Sequence, residues 1–265
     1  MAVPREAKRR VSGLWIALAL VTAAYLTLVL GMLIATAAHS PPGSLLHALS
    51  SREIRFAIQL SLLTSTLSAL LSLAVAVPIG YLLARGRFRG KPLLDAALDI
   101  PIVLPPMVVG LCLLILFQTP LGRLVERAVP FTYTVYGIVL AQFVIAAAFA
   151  IRTMRATFDH LSARPEDVAL TLGASRARAL WSVTLPAASR GMLAAAGVAW
   201  ARSFGEFGPI LVFAGATRLR TEVLPTTVWL ELSVGNLEAA VAVSLVMVIA
   251  AMLVLTTIRA AGERA

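Results

Sequence analysis

The sequence predicts an all-α integral membrane protein with about six transmembrane helices. Of its residues 59% are hydrophobic and only 14% charged, against roughly 25% charge in a typical soluble domain. The apolar residues are gathered into six long runs rather than spread at core positions. The cations lie between those runs and are strongly biased to alternate gaps, which is the signature of membrane topology.

A helix needs about 20 apolar residues to cross the hydrocarbon. In chain order the runs are roughly 14–38, 56–83, 100–117, 131–151, 187–214 and 237–258. The first follows Lys8-Arg9-Arg10, and Ala35-Thr36-Ala37 resembles a cleavage site. Its apolar stretch exceeds the 7–15 residues of a signal peptide, so a retained helix is expected. The organisation is then a short cytoplasmic N-terminal segment, 1–13, followed by one transmembrane domain, 14–265.

With the N-terminus inside and six alternating spans, 16 of the 23 Lys and Arg residues fall on the cytoplasmic side, counting Arg190 at the inner end of the fifth run, 6 fall outside, and Arg202 lies within a span. The bias favours an even number of spans with both termini cytoplasmic, in a multi-pass protein of the cell membrane. The net charge of +10 is therefore read as topology. No zinc spacing, helix-turn-helix pattern or aromatic-basic interleaving points to nucleic acid.

The longest polar gap runs from about Arg152 to Pro186 and is cytoplasmic by this topology. Pro165 suits a first helical turn, and Glu166 and Asp167 suit the positive end of a helix dipole. Gly173 offers a stop or a tight turn. A second short helix is expected from Ala174 to about Val183, ending near Pro186. The loop reads as helix, turn, helix, lying flat against the membrane.

Asp167-Val168-Ala169, three residues, Gly173-Ala174, and after nine residues from the glycine Val183-Thr184-Leu185-Pro186, resembles the EAA loop of binding-protein-dependent ABC importer permeases. That family carries Glu-Ala-Ala, three residues, Gly, nine residues, Ile, one residue, Leu-Pro. Asp167, Val168 and Val183 are conservative departures. The resemblance implies a type I permease fold, with a family-like core at about 53–258. It also implies that residues 165–186 form a coupling helix seated on a separate ATPase, with Asp167, Val168, Ala169, Gly173, Ala174, Leu185 and Pro186 as its motif positions. Implied partners are a pair of ATPase subunits, a second permease copy, an extracytoplasmic substrate-binding protein and the lipid bilayer. ATP and Mg would bind the ATPase, since this chain lacks a P-loop: Gly86 to Pro92 has only three residues between its glycines and ends in proline. The chain itself is expected to be no enzyme and to hold no cofactor or metal.

Pro101 to Gly110 and Gly205-Glu206-Phe207-Gly208 resemble the oxyanion branch of the same family, most closely its molybdate and tungstate permeases. Sulfate or thiosulfate is the runner-up cargo. From the residues alone, Arg202 and Glu206 stand four apart on one helix face within the bilayer. Each would cost about 2.5–3.5 kcal/mol there unpaired, so they should pair or meet water. Gly205, Gly208 and Pro209 weaken the helix at the same place. A hinge beside the translocation path, with Glu206 holding Arg202, is weighed equally against a purely structural ion pair. Pro101, Pro105 and Pro106 should break the third helix, which is tolerated where freed carbonyls meet protein or a wet cavity; a gate-lining segment is the expected use, ahead of a kink needed only for packing.

Ser61, Ser65, Ser68 and Ser72 share one face of the second helix. Packing through small residues is the commoner use of such a face, ahead of pore lining. Cys112 is expected to be an inert, packed residue. His39, His47 and His160 show no ligand spacing. An intramembrane enzyme would need a further acid-base pair, metal cluster or nucleophile. A membrane scaffold is the other reading, separated from a permease by whether an ATPase co-purifies.

Overall fold

The computed structural model describes residues 13–39, 43 and 48–264. The expected N-terminal segment 1–13 lies outside them except for Gly13, and so does His47. All regular structure among the described residues is helical. Helix α1 spans Gly13–His39, α2 Arg52–Arg85, α3 Lys91–Val103, α4 Pro106–Gln118, α5 Pro120–Ala128 and α6 Val135–His160. The loop helices are α7, Arg164–Thr171, and α8, Arg176–Ala179. Helix α9 spans Ser189–Phe204, α10 Leu224–Ser233 and α11 Leu237–Arg264.

Four single helices are long and apolar enough to cross a membrane, at Gly13–Ala38, Arg52–Arg85, Val135–His160 and Leu237–Ile258. The other two apolar runs are broken. In the third, Leu104 and Pro105 leave the helix, and α3 and α4 meet at 110°, whereas Pro101 stays inside α3 and does not break it as expected. Pro105 and Pro106 have no N–H to continue the ladder, so a new helix starts with Pro106 in its first turn. The fifth run ends as α9 at Phe204 and resumes as a π turn, Ile210–Ala214.

Helices α2 and α6 form the most extensive pair, and α9 packs on both. Small residues permit this closeness. A Cβ on Gly80 would lie 2.8 Å from Met154 Cβ and 2.9 Å from the Arg155 nitrogen. One on Gly191 would lie 2.2 Å from Thr157 Cγ2. All four serines of the α2 face are buried inside the bundle. The Ser68 hydroxyl donates to the Val139 carbonyl at 3.0 Å, with Gln142 Oε1 at 3.1 Å, and Gln142 Nε2 donates to the Ser203 carbonyl at 3.1 Å. Leu224 N donates to Ser61 Oγ at 2.8 Å. Ser61 and Ser68 therefore join elements within one chain, while Ser65 and Ser72 are buried with no hydrogen-bond partner among the described residues.

Helix α11 packs on α9 and α10, while α1 lies at the edge with its principal contact on α11. None of the apolar window of α1 is buried. Cys112 is exposed on α4, which corrects the expectation of a packed thiol. Helix α4 is apolar on every side, so its hydropathy carried no information about which face turns inward.

Candidate coupling loop and helix break

Residues 164–187 form a compact helical corner. Pro165 lies in the first turn of α7 and Asp167 N donates to the Ala163 carbonyl at 3.0 Å. The turn is built by a pair of nested bonds, Gly173 N to Leu170 O and Ala174 N to Ala169 O, each 3.0 Å. This is a Schellman closure, and it requires a left-handed residue after the helix. Gly173 supplies it, at φ +88°. Ser175 then caps α8 by accepting from Arg178 N at 3.3 Å.

The second half ends at Ala187, next to the expected Pro186, but it is not one α-helix from Ala174 to Val183. It passes through a π turn, Leu180–Thr184, and a final turn, Leu185–Ala187, that contains Pro186. Leu185 N reaches back to the Leu180 carbonyl. That wider winding accommodates a proline that an α-helix interior would reject.

Glu166 anchors this corner to the bundle. One carboxylate oxygen accepts from the Tyr81 hydroxyl on α2, and the other accepts from Thr184 Oγ1 at 2.9 Å. Tyr81 in turn packs edge-on to Phe158 of α6, with ring centroids 5.6 Å apart. Arg85 Nη2 donates to the Leu161 carbonyl at 2.7 Å, tying the end of α2 to the end of α6. Asp167, the motif acid, points outward and is exposed. Beside it the loop exposes apolar side chains: Val168 is 57% exposed, Leu172 83% and Trp181 72%.

Helix α3 is strapped to α6 by charge. Asp95 and Asp99 face Arg152 and Arg155, with Arg155 bound to Asp95 and Arg152 to Asp99. Arg152 Nη1 also lies 3.7 Å from Asp95, and Arg155 Nε lies 3.6 Å from Asp159.

At the other end of α9, Arg202 Nη1 lies 2.8 Å from Glu206 Oε2, and the carboxylate residue is only 2% exposed. The Arg202 guanidinium sits over the Phe149 ring, 5.7 Å from its centroid. Gly205 ends α9, and the Ser203 carbonyl freed near the break accepts from Glu206 N at 3.2 Å as well as from Gln142. The break is packed directly on the start of α4. A Cβ on Gly208 would lie 2.9 Å from Met107 N and 3.2 Å from Pro106 Cβ, and one on Gly110 would lie 2.7 Å from Pro209 Cα.

The structure thus brings Pro106 against Gly208, Pro105 precedes them at the α3–α4 bend, and Arg202, Gly205 and Glu206 stand at the same break. The loop motif, Asp167 to Pro186, is gathered at a separate place. Among the described residues no three His, Cys, Asp or Glu side chains are grouped as a metal site. His160 is exposed, with Nδ1 2.7 Å from the Ala156 carbonyl. Sequence reasoning missed Tyr81 and the Asp95–Arg155 and Asp99–Arg152 pairs. It read Glu166 only as a helix-dipole residue.

Residues 76–264 match the family described as binding-protein-dependent transport system inner membrane component. A probable molybdenum ABC transporter permease protein of Haloferax volcanii is 36% identical over 237 residues, covering 89% of this chain and 85% of that one. A molybdate/tungstate transport system permease protein of Pyrococcus abyssi is 43% identical over 158 residues, 60% of each chain. A sulfate transport system permease protein of Salmonella typhimurium is 31% identical over 215 residues, 80% of this chain and 78% of that one. Among solved structures, a chain of a bacterial ABC transporter involved in import of the acidic polysaccharide alginate superposes with TM-score 0.73, covering 95% of each chain at 16% identity, and so shares the fold. The helical topology, the Gly173 corner and these matches together place the chain in the family of binding-protein-dependent transport system inner membrane components.

Proposed function

We propose that this chain is the pore-forming subunit of an ATP-driven importer of oxyanions, with molybdate or tungstate as cargo. In this reading two copies enclose the pore, two ATPase subunits seat on the 165–186 loops, and a binding protein delivers cargo from outside. Both termini are cytoplasmic. The observation that carries the reading is the apolar face of the loop: Val168, Leu172 and Trp181 are exposed on a corner that Glu166 holds rigid. A solvated loop gains nothing from such a face, whereas a docking element does.

ATP binding would draw the two loops together, and hydrolysis would release them. The pore is then a two-state equilibrium biased by each partner's preference for one state. The break at Gly205–Gly208, against Pro105 and Pro106, is the hinge of that change, and the Arg202–Glu206 pair holds its charge neutral. Glu206 is not a cargo ligand, since a bare carboxylate repels an oxyanion.

Two measurements test this. An ATPase should co-purify with the wild type and be lost from Leu172→Asp, while Gly173→Asp should uncouple ATP hydrolysis from transport; co-purification and coupling retained in both would defeat the docking assignment. Calorimetry of the cognate binding protein with molybdate, tungstate and sulfate tests the cargo. The readings supporting molybdate or tungstate are the names of the two relatives at 36% and 43% identity. Preference for sulfate would leave the importer standing and change only what it carries.

A further inference from the structure

A cavity of about 470 Å³ opens where the end of α2, the α2–α3 turn and α7 meet. Four cations line it, Arg85, Arg87, Lys91 and Arg176, against two acids, Glu166 and Asp167. The acids do not balance them. They are two against four, and both oxygens of Glu166 are turned to the neutral hydroxyls of Tyr81 and Thr184. None of the four cations forms an ion pair among the described residues. Lys91 Nζ donates only to the Gly86 carbonyl at 3.3 Å, and Arg85 donates through Nη2 to Leu161 O. Arg85 Nε is buried with no hydrogen-bond partner among the described residues.

The backbone adds to the field. The 13-residue helix α3 begins at the cavity with Gly90 as its N-cap, so no side chain satisfies its first amides. A helix start of this kind favours a negative charge nearby. Two exposed apolar side chains, Leu82 and Phe88, lie beside Gly86, which lines the cavity. Helix α2 has 34 residues, about 51 Å at 1.5 Å each, well beyond the ~30 Å of hydrocarbon. Part of it must therefore overhang the hydrocarbon, and the charge of Arg85 assigns its last turn to that overhang. Cations facing a recess, with apolar side chains at its lip, match an anionic head whose chains run into the bilayer.

We infer that this cavity binds a phosphate-class oxyanion, and that in the membrane the phosphodiester of an anionic phospholipid occupies it. Arg87 and Arg176 supply most of the removable attraction, and Arg85 and Lys91 form the floor. The occupant bridges the α2–α3 turn to α7, so it braces the loop from the side opposite its exposed apolar face. The assignment rests on the chain being a membrane permease and not on its cargo.

The test uses the full chain in nanodiscs of phosphatidylcholine with phosphatidylglycerol, with native mass spectrometry reading retained lipid. Arg87 and Arg176 are exposed and their side chains hold no hydrogen bond among the described residues, so Arg87→Gln/Arg176→Gln should fold normally. At about one basic residue's attraction each, the double variant should retain phosphatidylglycerol roughly 30-fold more weakly than the wild type. Arg178→Gln, on α8 but outside the cavity, should retain it as the wild type does. Calorimetry with inorganic phosphate in neutral detergent separates the sources. Phosphate binding lost in the double variant, with phosphatidylglycerol retention unchanged, keeps the anion site and assigns it to a free anion. Equal lipid retention and equal phosphate titrations in the wild type and double variant would overturn the site.

Discussion

Gly208 meets Met107 so closely that a single added carbon would lie 2.9 Å from the Met107 amide nitrogen. Backbone of the broken fifth run and backbone of the broken third run are in direct contact there, with no side chain between them to yield. Gly208→Ala should therefore cost about 1–3 kcal/mol, the usual range for overpacking. Gly205→Ala should be nearly neutral, because φ at Gly205 is −87° and the nearest atom to an added Cβ is Ala201 O at 3.7 Å. Thermal midpoints of the two variants in detergent decide this. Similar midpoints would mean that the packing at 208 is not constraining.

The carboxylate of Glu166 serves two partners at once. Glu166→Ala strands the Thr184 hydroxyl and the Tyr81 hydroxyl together, and should lower stability by about 1–2 kcal/mol. Tyr81→Phe alone should cost less. Once Glu166 is gone, Tyr81→Phe should cost almost nothing, so the pair is coupled. A double-mutant cycle on the thermal midpoint measures that coupling. Strict additivity would show that the hydroxyl and the carboxylate act independently.

The strap from α3 to α6 makes a charge-swap prediction. Asp99→Arg should weaken the attachment of α3 by about 1 kcal/mol, since Arg152 and Asp99 are both partly exposed and screened. Adding Arg152→Asp should recover much of the loss. Hydrogen exchange across residues 91–103 should rise in the single variant and fall again in the double. No recovery would mean that the aspartate contributes through something other than its pairing.

Glu222, in the segment before α10, gives a pH prediction. It is 1% exposed, and burial pushes its carboxyl above the ordinary 4.5, with Thr227 and Arg218 pulling the other way. The folded state then holds the proton more tightly than the unfolded chain. Stability contributed by this group is present below pH 4.5 and is lost as pH rises through the higher folded value. Glu222→Gln should remove that slope and raise the midpoint near neutral pH. An unchanged pH profile in the variant would count against burial as the controlling effect.

Hydropathy made the apolar runs legible, and the spacing from Asp167 to Pro186 made the loop legible, because both are local properties of the chain. The residues that lock the loop were hidden by distance. Tyr81 is 85 positions from Glu166, and Thr184 is 18 away on the far side of a turn. Nothing near Glu166 in sequence distinguishes it from Asp167, yet one faces the bundle and the other the solvent. The π turn at Leu180–Thr184 was hidden for another reason: Pro186 ordinarily signals an end, and only the wider winding lets the helix pass it. The facing of Cys112 was unreadable because α4 has no polar side to orient it. The meeting of Pro106 with Gly208 shows the reverse case, in which two locally visible breaks turn out to be one contact.

Helix α9 leaves the loop two residues after Ala187 and ends at the break, with no interruption in its 16 residues. At 1.5 Å per residue it is a strut of about 24 Å. A tilt of only about 5° at the loop would therefore carry its far tip about 2 Å. That stroke exceeds the clearance between Gly208 and Met107, where even one methyl group does not fit. In the proposed cycle, whatever motion the Gly205–Gly208 hinge passes on finds no slack at this contact and is delivered to the start of α4.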